Sequence, residues 1–183
     1  MIQSDCSSLK LLSQPEKKEF DTLKDRLTLR PLCKDDLPML HKLYSDEASA
    51  RYMRFGKHTS LEQTRTLLRH YLEDGCLPYA LINRNNDFVG YISLIPAEDA
   101  PDSGEFTATL MILPKFWKDG YGTEAVQGIL KLLPAHPEVK KILGYIVDRN
   151  VGSWKIAEKC GFSRIEEIRV EEDRVLYVYE YVV

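Results

Sequence analysis

The most informative pattern in the chain is LPKFWKDGYGTEA, residues 113–125. An apolar strand pattern ends here, Gly120 and Gly122 follow, and helical spacing then begins. Glycines allow the backbone to turn its N–H groups toward a ligand, and a helix N-terminus adds partial positive charge. The pattern therefore predicts an anion site suited to a diphosphate. A plain loop with helix-capping glycines is an alternative that the pattern alone leaves open.

A dinucleotide-binding fold is a second alternative, because Gly120, Gly122 and Ala125 match its glycine fingerprint. Asp148, which ends the next predicted strand, fits the acidic position of that fingerprint. Two features count against this alternative. Residues 114–119 separate the strand from the first glycine, whereas the fingerprint turns directly from its strand. About 60 residues follow the glycines, fewer than the remaining strands of a doubly wound sheet require.

The composition limits the class of protein. A chain of 183 residues that is 44% hydrophobic suffices for one compact domain. The 25 Lys and Arg residues against 28 Asp and Glu give a net charge of -3, which disfavours a nucleic-acid partner. No apolar run approaches the roughly 20 residues of a membrane span, and the N-terminus lacks a signal-peptide pattern. We therefore expect a soluble, cytoplasmic protein with no membrane partner.

The four cysteines do not predict a metal site. Cys6, Cys33, Cys76 and Cys160 lie far apart, with no Cys-x-x-Cys pair and no adjacent histidine. Structural zinc sites and thioredoxin-like sites both need closer spacing. We therefore expect reduced thiols and no bound metal.

Residues 26–183 carry the periodicity of one domain, whereas residues 1–25 are polar and uneven and are interpreted as an N-terminal extension. Strand patterns with period two and helical patterns with apolar residues three and four apart alternate along the domain. Predicted strands cover residues 27–32, 79–83, 88–95, 105–113, 141–147, 163–170 and 175–182; predicted helices cover residues 37–44, 61–72, 123–133 and 151–160. This mixture of hairpins and crossovers predicts an α/β (α+β) protein built on one central sheet.

Three blocks of sequence resemble one known family. They are RLTLRPL at residues 26–32, WKDGYGTEA at residues 117–125, and NVGS with AEKCGF at residues 150–162. Their order and spacing resemble the GNAT-superfamily N-acetyltransferases, and Trp117 resembles the branch of ribosomal-protein N-terminal (alanine) acetyltransferases. The resemblance implies the GNAT acyl-CoA N-acyltransferase fold, a mixed, mostly antiparallel sheet of about seven strands flanked by about four helices. It also implies acetyl-CoA as donor and a primary amine as acceptor, either a protein N-terminal amine or a small amine.

The same resemblance implies a set of residues that bind acetyl-CoA. The loop and first helical turn would hold the pyrophosphate, the end of the preceding strand would pair with the pantetheine arm, and the next helix N-terminus would contact that arm. These positions are Trp117, Lys118, Asp119, Gly120, Tyr121, Gly122 and Thr123; Met111, Ile112 and Leu113; and Asn150 and Ser153. Helix capping is the alternative role of Asn150.

The catalytic residues are less clear, because Ala157 stands where many relatives have a tyrosine that protonates the leaving thiolate. Ser153 is the predicted replacement, since residues three and four apart share a helix face. Glu105 is the predicted base, acting through water from the strand that leads to the cofactor. A solvated Glu105, His58 and His70 are alternatives. The vacant tyrosine position also leaves open a non-catalytic, acyl-CoA-binding regulatory domain.

The acceptor side is predicted from the segments that cover it in this family: residues 51–59, Tyr79 and the last hairpin. Tyr52, Phe55 and Tyr79 are candidate substrate-binding residues on those segments. Each is equally well explained as a core aromatic.

Overall fold

The computed structural model describes residues 20–21, 26–54, 56–72, 75–171 and 174–183. The strands are β1 (Phe20–Asp21), β2 (Leu27–Pro31), β3 (Leu77–Asn83), β4 (Phe88–Pro96), β5 (Glu105–Ile112), β6 (Lys141–Val147), β7 (Ser163–Glu171) and β8 (Arg174–Val182). The α-helices are α1 (Leu37–Ser45), α2 (Glu47–Ala50), α3 (Leu61–Tyr71), α4 (Tyr121–Leu132) and α5 (Val151–Lys159). Phe55 and nearly all of the predicted N-terminal extension lie outside the described residues.

The described strands form one sheet in the order β1-β2-β3-β4-β5-β6-β8-β7. Neighbouring strands are antiparallel except β5 and β6, which run parallel. A parallel pair requires a crossover connection, and α4 lies within the connection between these two strands. The sheet thus consists of an N-terminal meander and a C-terminal three-stranded unit that meet at the β5–β6 junction.

Each face of the sheet has its own hydrophobic core. Leu29, Leu81 and Ile142 belong to the core that also includes Ala125 and Ile129 of α4. The opposite face carries Leu40 and Leu43 of α1, Leu68 of α3, and strand residues that include Ala80 and Tyr91. Because β3 and β4 are buried on both faces, these central strands read as continuous apolar runs rather than alternating patterns.

Local features at the ends of two elements follow from their residues. Ser60 Oγ accepts a hydrogen bond from Gln63 N–H and Gln63 Oε1 accepts one from Ser60 N–H, so a capping box starts α3. The predicted β3–β4 hairpin is present, with Asn86 at φ +63° in its turn. The structure adds two short elements that the sequence pattern did not indicate, β1 of two residues and α2 of four residues. Such short elements contain about one period of a hydrophobic pattern, which is too little for a repeat to be recognised.

None of the helices in the described part of the chain has the length and apolar character of a membrane span.

Candidate functional site

A gap opens in the middle of the sheet, between β5 and β6. The two strands pair at Glu105–Lys141, Phe106–Ile142 and Thr107–Leu143, and the pairing ends there. The rest of β5 continues to pair with β4, and the rest of β6 continues to pair with β8. The strands therefore diverge toward their C-terminal ends, as the sequence resemblance implied for a strand-like ligand arm.

The register of β5 shows which backbone groups face this gap. Leu113 N–H donates to Val89 O and Ala97 N–H donates to Glu105 O, each at 2.9 Å. In an antiparallel pair, alternate residues bond to the same neighbour, so the odd-numbered residues of β5 bond to β4. The N–H groups of Leu110 and Ile112 therefore face the gap. An extended ligand can pair with this edge as an added strand would.

This register refines the predicted pantetheine contacts. Of the three predicted residues, Ile112 has its backbone N–H facing the gap, whereas Met111 and Leu113 direct their backbone groups to β4 and their side chains into the core on the α1 side. The Trp117 indole N–H donates to Ile112 O at 2.7 Å. Trp117 therefore positions the end of β5, although its side chain is 44% exposed. Leu110, which the sequence analysis did not single out, takes the place of its two neighbours at the gap.

The loop after β5 presents backbone N–H groups at the same end of the sheet. Lys118 and Gly120 have φ of +67° and +82°, and α4 begins at Tyr121. None of the N–H groups of residues 118–123 donates to an acceptor within the described residues. Left-handed residues that bring successive N–H groups together form concave anion sites, and the N-terminus of α4 adds its dipole. The donor set fits the diphosphate of acetyl-CoA.

Gly122 has a different reason to be glycine. A Cβ atom there would lie 2.7 Å from Ile156 Cδ1 of α5 and 3.6 Å from a methyl carbon of Leu110. Gly122 thus faces the interior and lets the first turn of α4 pack closely against α5. Its backbone N–H, which has no acceptor within the described residues, stays available to a ligand.

A buried ion pair lies behind the loop and was missed at the sequence level. The Glu124 side chain is 1% exposed, and its Oε2 lies 2.7 Å from a guanidinium nitrogen of Arg26. Acidic residues in a first helical turn are usually solvent-exposed partners of the helix dipole. The position of Glu124 four residues before buried Gly128 was the available indication, since residues at this spacing share a helix face.

Asn150 and Ser153 lie at the N-terminus of α5, directly after β6. Asn150 Oδ1 accepts a hydrogen bond from Ser153 N–H at 3.3 Å, so Asn150 caps the helix. The Ser153 side chain is half-buried, and Ala157 on the next turn is buried at 8% exposure. Ala157 therefore packs in the core and offers no hydroxyl group. Ser153 carries the hydroxyl group that α5 places nearest to its N-terminus.

Glu105 lies at the closed end of the gap. Its Oε2 is 2.6 Å from Lys141 Nζ, which is also 3.6 Å from a carboxylate oxygen of Glu180. Glu105 pairs with Lys141 across the parallel strands, and the gap opens in the opposite direction along β5. The structure thus places Glu105 in an ion pair and away from the loop of residues 118–123.

The two histidines considered as alternative bases differ in environment. His58 stacks on Tyr44 at 4.5 Å between ring centroids, and its Nδ1 lies 2.9 Å from Thr64 Oγ1. Burial, with the nearby His41, lowers the pKa of His58 below its ordinary value. His58 is therefore neutral near pH 7, as a base must be, whereas His70 is exposed on α3.

The predicted acceptor residues separate in the structure. The Tyr52 hydroxyl donates to Arg149 O at 3.3 Å, which links the segment after α2 to the end of β6. Tyr79 is 1% exposed and belongs to the core under α4, where burial raises its pKa. The structure thus gives Tyr79 the alternative role of a core aromatic, because β3 points this side chain into the core. Phe55 lies outside the described residues.

An open cleft lies beside the C-terminal end of β5, on the sheet face that carries α1. Its volume is about 430 Å³, and its walls are Lys42, Ser45 and Asp46 at the end of α1 and residues 113–115 after β5. The hydrogen bond from Ser49 N–H lowers the pKa of the Asp46 carboxyl. The cleft thus lies at the end of β5 toward which the gap opens, and it carries both positive and negative charge.

Groups of three or more His, Cys, Asp or Glu side chains able to hold a metal ion are absent from the described residues.

Comparison with known proteins identifies the family. Residues 26–163 match the acetyltransferase (GNAT) domain. The chain belongs to the GNAT acetyltransferase family. It is therefore an acetyl-CoA-dependent N-acetyltransferase, as the three sequence blocks implied. No curated protein gives a significant match to the full sequence.

Solved structures confirm the GNAT fold. A GNAT-family acetyltransferase from Bacillus anthracis aligns with a TM-score of 0.75 at 22% identity, covering 90% of this chain and 98% of that chain. Spermidine N-acetyltransferase from Vibrio cholerae, in complex with CoA and spermine, aligns with a TM-score of 0.75 at 17% identity, covering 86% and 95%. AAC(6')-Ib in complex with ribostamycin and coenzyme A aligns with a TM-score of 0.73 at 21% identity, covering 86% and 93%.

Proposed function

We propose that this GNAT enzyme transfers the acetyl group of acetyl-CoA directly to a primary amine held in the same ternary complex. One observation carries the proposal: the gap-facing N–H groups of Leu110 and Ile112 lead from the anion site of residues 118–123 into a gap through the sheet. This gap connects the α4–α5 side, where the diphosphate would bind, with the α1 side, where the cleft lies. A pantetheine arm in the gap would place its thioester next to an acceptor in the cleft.

The residues around the gap supply most of what the reaction needs. The amine nitrogen attacks the thioester carbon, the C–S bond breaks, and a proton reaches the leaving sulfur. The gap-facing N–H groups of Leu110 and Ile112 are suited to stabilise the carbonyl oxygen as it becomes negative. The Ser153 hydroxyl, directly or through water, is the proposed proton source for sulfur.

Two candidates for the general base differ in their surroundings. Glu105 is ion-paired with Lys141 at the closed end of the gap, at the opposite end of β5 from the cleft. His58 belongs to the segment between α2 and α3, and its lowered pKa keeps it neutral. His58 is therefore the better supported of the two as the acceptor of a proton from the ammonium, through water.

The acceptor is proposed to be a small primary amine. The proteins of similar fold include structures with spermine and with ribostamycin, and both of these molecules carry amines. The resemblance of Trp117 and its neighbours to the ribosomal-protein N-terminal acetyltransferases favours a protein N-terminal amine instead. Both acceptor classes enter the test below.

The test measures release of the CoA thiol from acetyl-CoA in the presence of small primary amines and of peptides with a free N-terminal alanine or serine. Peptides with a blocked N-terminus are the control. We expect thiol release that depends on the amine. Binding of acetyl-CoA, seen as a rise in melting temperature, without thiol release from any amine would contradict the proposal and favour the acyl-CoA-binding regulatory alternative.

Ser153→Ala tests the acid role, with Ser163→Ala on the exposed edge strand β7 as the matched control. We expect kcat to fall about a hundredfold, as for loss of a general acid, while the KM for acetyl-CoA is unchanged. An unaltered kcat would return Ser153 to a packing role and leave the transferase function intact.

A further inference from the structure

A buried carboxylate lies directly beneath the loop that would hold the diphosphate. Glu124 Oε1 accepts hydrogen bonds from the backbone N–H groups of Arg26 and Leu27, both at 3.2 Å. Its Oε2 accepts one from Arg26 Nε at 2.8 Å and lies 2.7 Å from a second guanidinium nitrogen. One carboxylate thus satisfies four donors, which offsets the cost of its burial. The arrangement fixes the start of β2 against the first turn of α4.

The same guanidinium group also holds the loop itself. Its remaining terminal nitrogen donates to Asp119 O at 3.1 Å. Its central carbon lies 4.9 Å from the centroid of the Tyr121 ring, within the range of a cation–π contact. Arg26 therefore touches the residues on both sides of Gly120, and Glu124 determines where Arg26 lies.

The Asp119 contact determines the direction of one donor in the anion site. In a planar trans peptide, the C=O of one residue and the N–H of the next point in opposite directions. Because Arg26 draws Asp119 O toward the protein, Gly120 N–H points away from it, out of the loop. A peptide without this contact is free to rotate at Gly120, whose φ of +82° permits other conformations.

We propose that Arg26, oriented by buried Glu124, is a positioning residue that fixes the 119–120 peptide for recognition of the diphosphate of the acetyl donor. The inference rests on the proposed function, because it assigns the loop of residues 118–123 to that diphosphate. Arg26 acts through the loop backbone.

The structure provides a matched control on the same strand. Arg30 forms a two-point ion pair with Asp36, with guanidinium–carboxylate distances of 2.9 and 2.6 Å. Asp36 is buried like Glu124, at 5% exposure. The Arg30–Asp36 pair joins β2 to the start of α1. Loss of Arg30 therefore removes a comparable ion pair without touching the loop.

The test measures the Kd of CoA by calorimetry for the unsubstituted protein and for Arg26→Ala, Arg26→Lys and Arg30→Ala. Lysine keeps the charge near Glu124 but lacks the fork that reaches Glu124 and Asp119 together. Arg26→Lys therefore provides the test if Arg26→Ala does not fold. We expect both Arg26 variants to raise the Kd about tenfold, which corresponds to about 1.4 kcal/mol. Arg30→Ala should lower the melting temperature without changing the Kd.

A second measurement separates positioning of the loop from general damage. The kcat/KM for acetyl-CoA is compared with that for S-acetylpantetheine, a donor without the diphosphate. The Arg26 variants should lose activity with acetyl-CoA and keep it with S-acetylpantetheine. Equal losses with both donors, or an unchanged Kd for CoA in folded Arg26→Lys, would overturn the inference. Absence of CoA binding by the unsubstituted protein would overturn the proposed function, and this inference with it.

Discussion

Lys118 adopts a backbone conformation that is unfavourable for any residue with a Cβ atom. Its φ is +67°, in the left-handed region that favours glycine. We predict that Lys118→Gly makes the folded protein more stable while weakening its affinity for CoA. The backbone strain is relieved, but the ammonium group beside the anion site is lost.

The magnitude follows from two opposing effects on the free energy of unfolding. The left-handed conformation costs a non-glycine residue about 1–2 kcal/mol. Glycine adds freedom to the unfolded chain, which offsets about 0.4–1 kcal/mol of that gain. The net stabilisation is about 0.5–1 kcal/mol. For a chain of this size it raises the melting temperature by about 2 °C.

Lys118→Ala separates the two effects, because alanine removes the ammonium group but keeps the Cβ atom. Calorimetric melting of the three proteins without ligand should rank Lys118→Gly above Lys118→Ala, with Lys118→Ala close to the unsubstituted protein. Titration with CoA should show weaker binding for both variants. If Lys118→Gly melts no higher than Lys118→Ala, position 118 is not strained in the free protein and the reasoning fails.

Two further predictions concern tyrosine hydroxyls. The buried hydroxyl groups of Tyr44, Tyr71 and Tyr91 contact one another, with 3.0 Å between those of Tyr71 and Tyr91. Tyr91→Phe should therefore lower the free energy of unfolding, measured in urea, by about 1–3 kcal/mol. Tyr145→Phe, at a half-exposed position, is the control and should leave it unchanged. Burial and the hydrogen bond to Glu158 raise the pKa of Tyr179 to about 12. Because the unfolded chain loses this proton near pH 10, the free energy of unfolding should fall between pH 10 and 12. If Tyr179→Phe loses stability equally steeply over this range, the loss does not come from Tyr179.

The sequence predicts the elements whose pattern is long enough to be periodic. The seven strands from β2 to β8 follow from alternating patterns or, for β3 and β4, from continuous apolar runs, each bounded by turn residues. The sequence does not show which side chains of β3 point to which face of the sheet, because residues 77–81 are all buried and show no alternation. The family resemblance places Tyr79 on the acceptor side, with a core aromatic as the equal alternative, and the structure shows its side chain in the core beneath α4.

The sequence predicts those parts of the candidate site that consist of backbone N–H groups in loops and at helix N-termini. Glycine spacing indicates the loop of residues 118–123, and helix capping is the alternative role that the sequence gives Asn150. The distinction between Leu110 and Met111 at the gap depends on which hydrogen bonds β5 gives to β4, and sequence does not set this register by itself. The Arg26–Glu124 pair joins residues 98 positions apart, a separation that spacing rules within one helix or strand do not cover.

The gap between β5 and β6 gives a central strand the chemistry of a sheet edge. Edge strands expose unpaired backbone groups, which exchange their hydrogens with solvent and invite pairing with other chains. Without the donor, the amides of Leu110 and Ile112 should exchange deuterium much faster than those of Met111 and Leu113, which bond to β4. The pantetheine arm of the donor would fill this gap and pair with β5 as an added strand would. Amide protection at alternate residues of β5 would then report occupancy of the enzyme directly, without turnover.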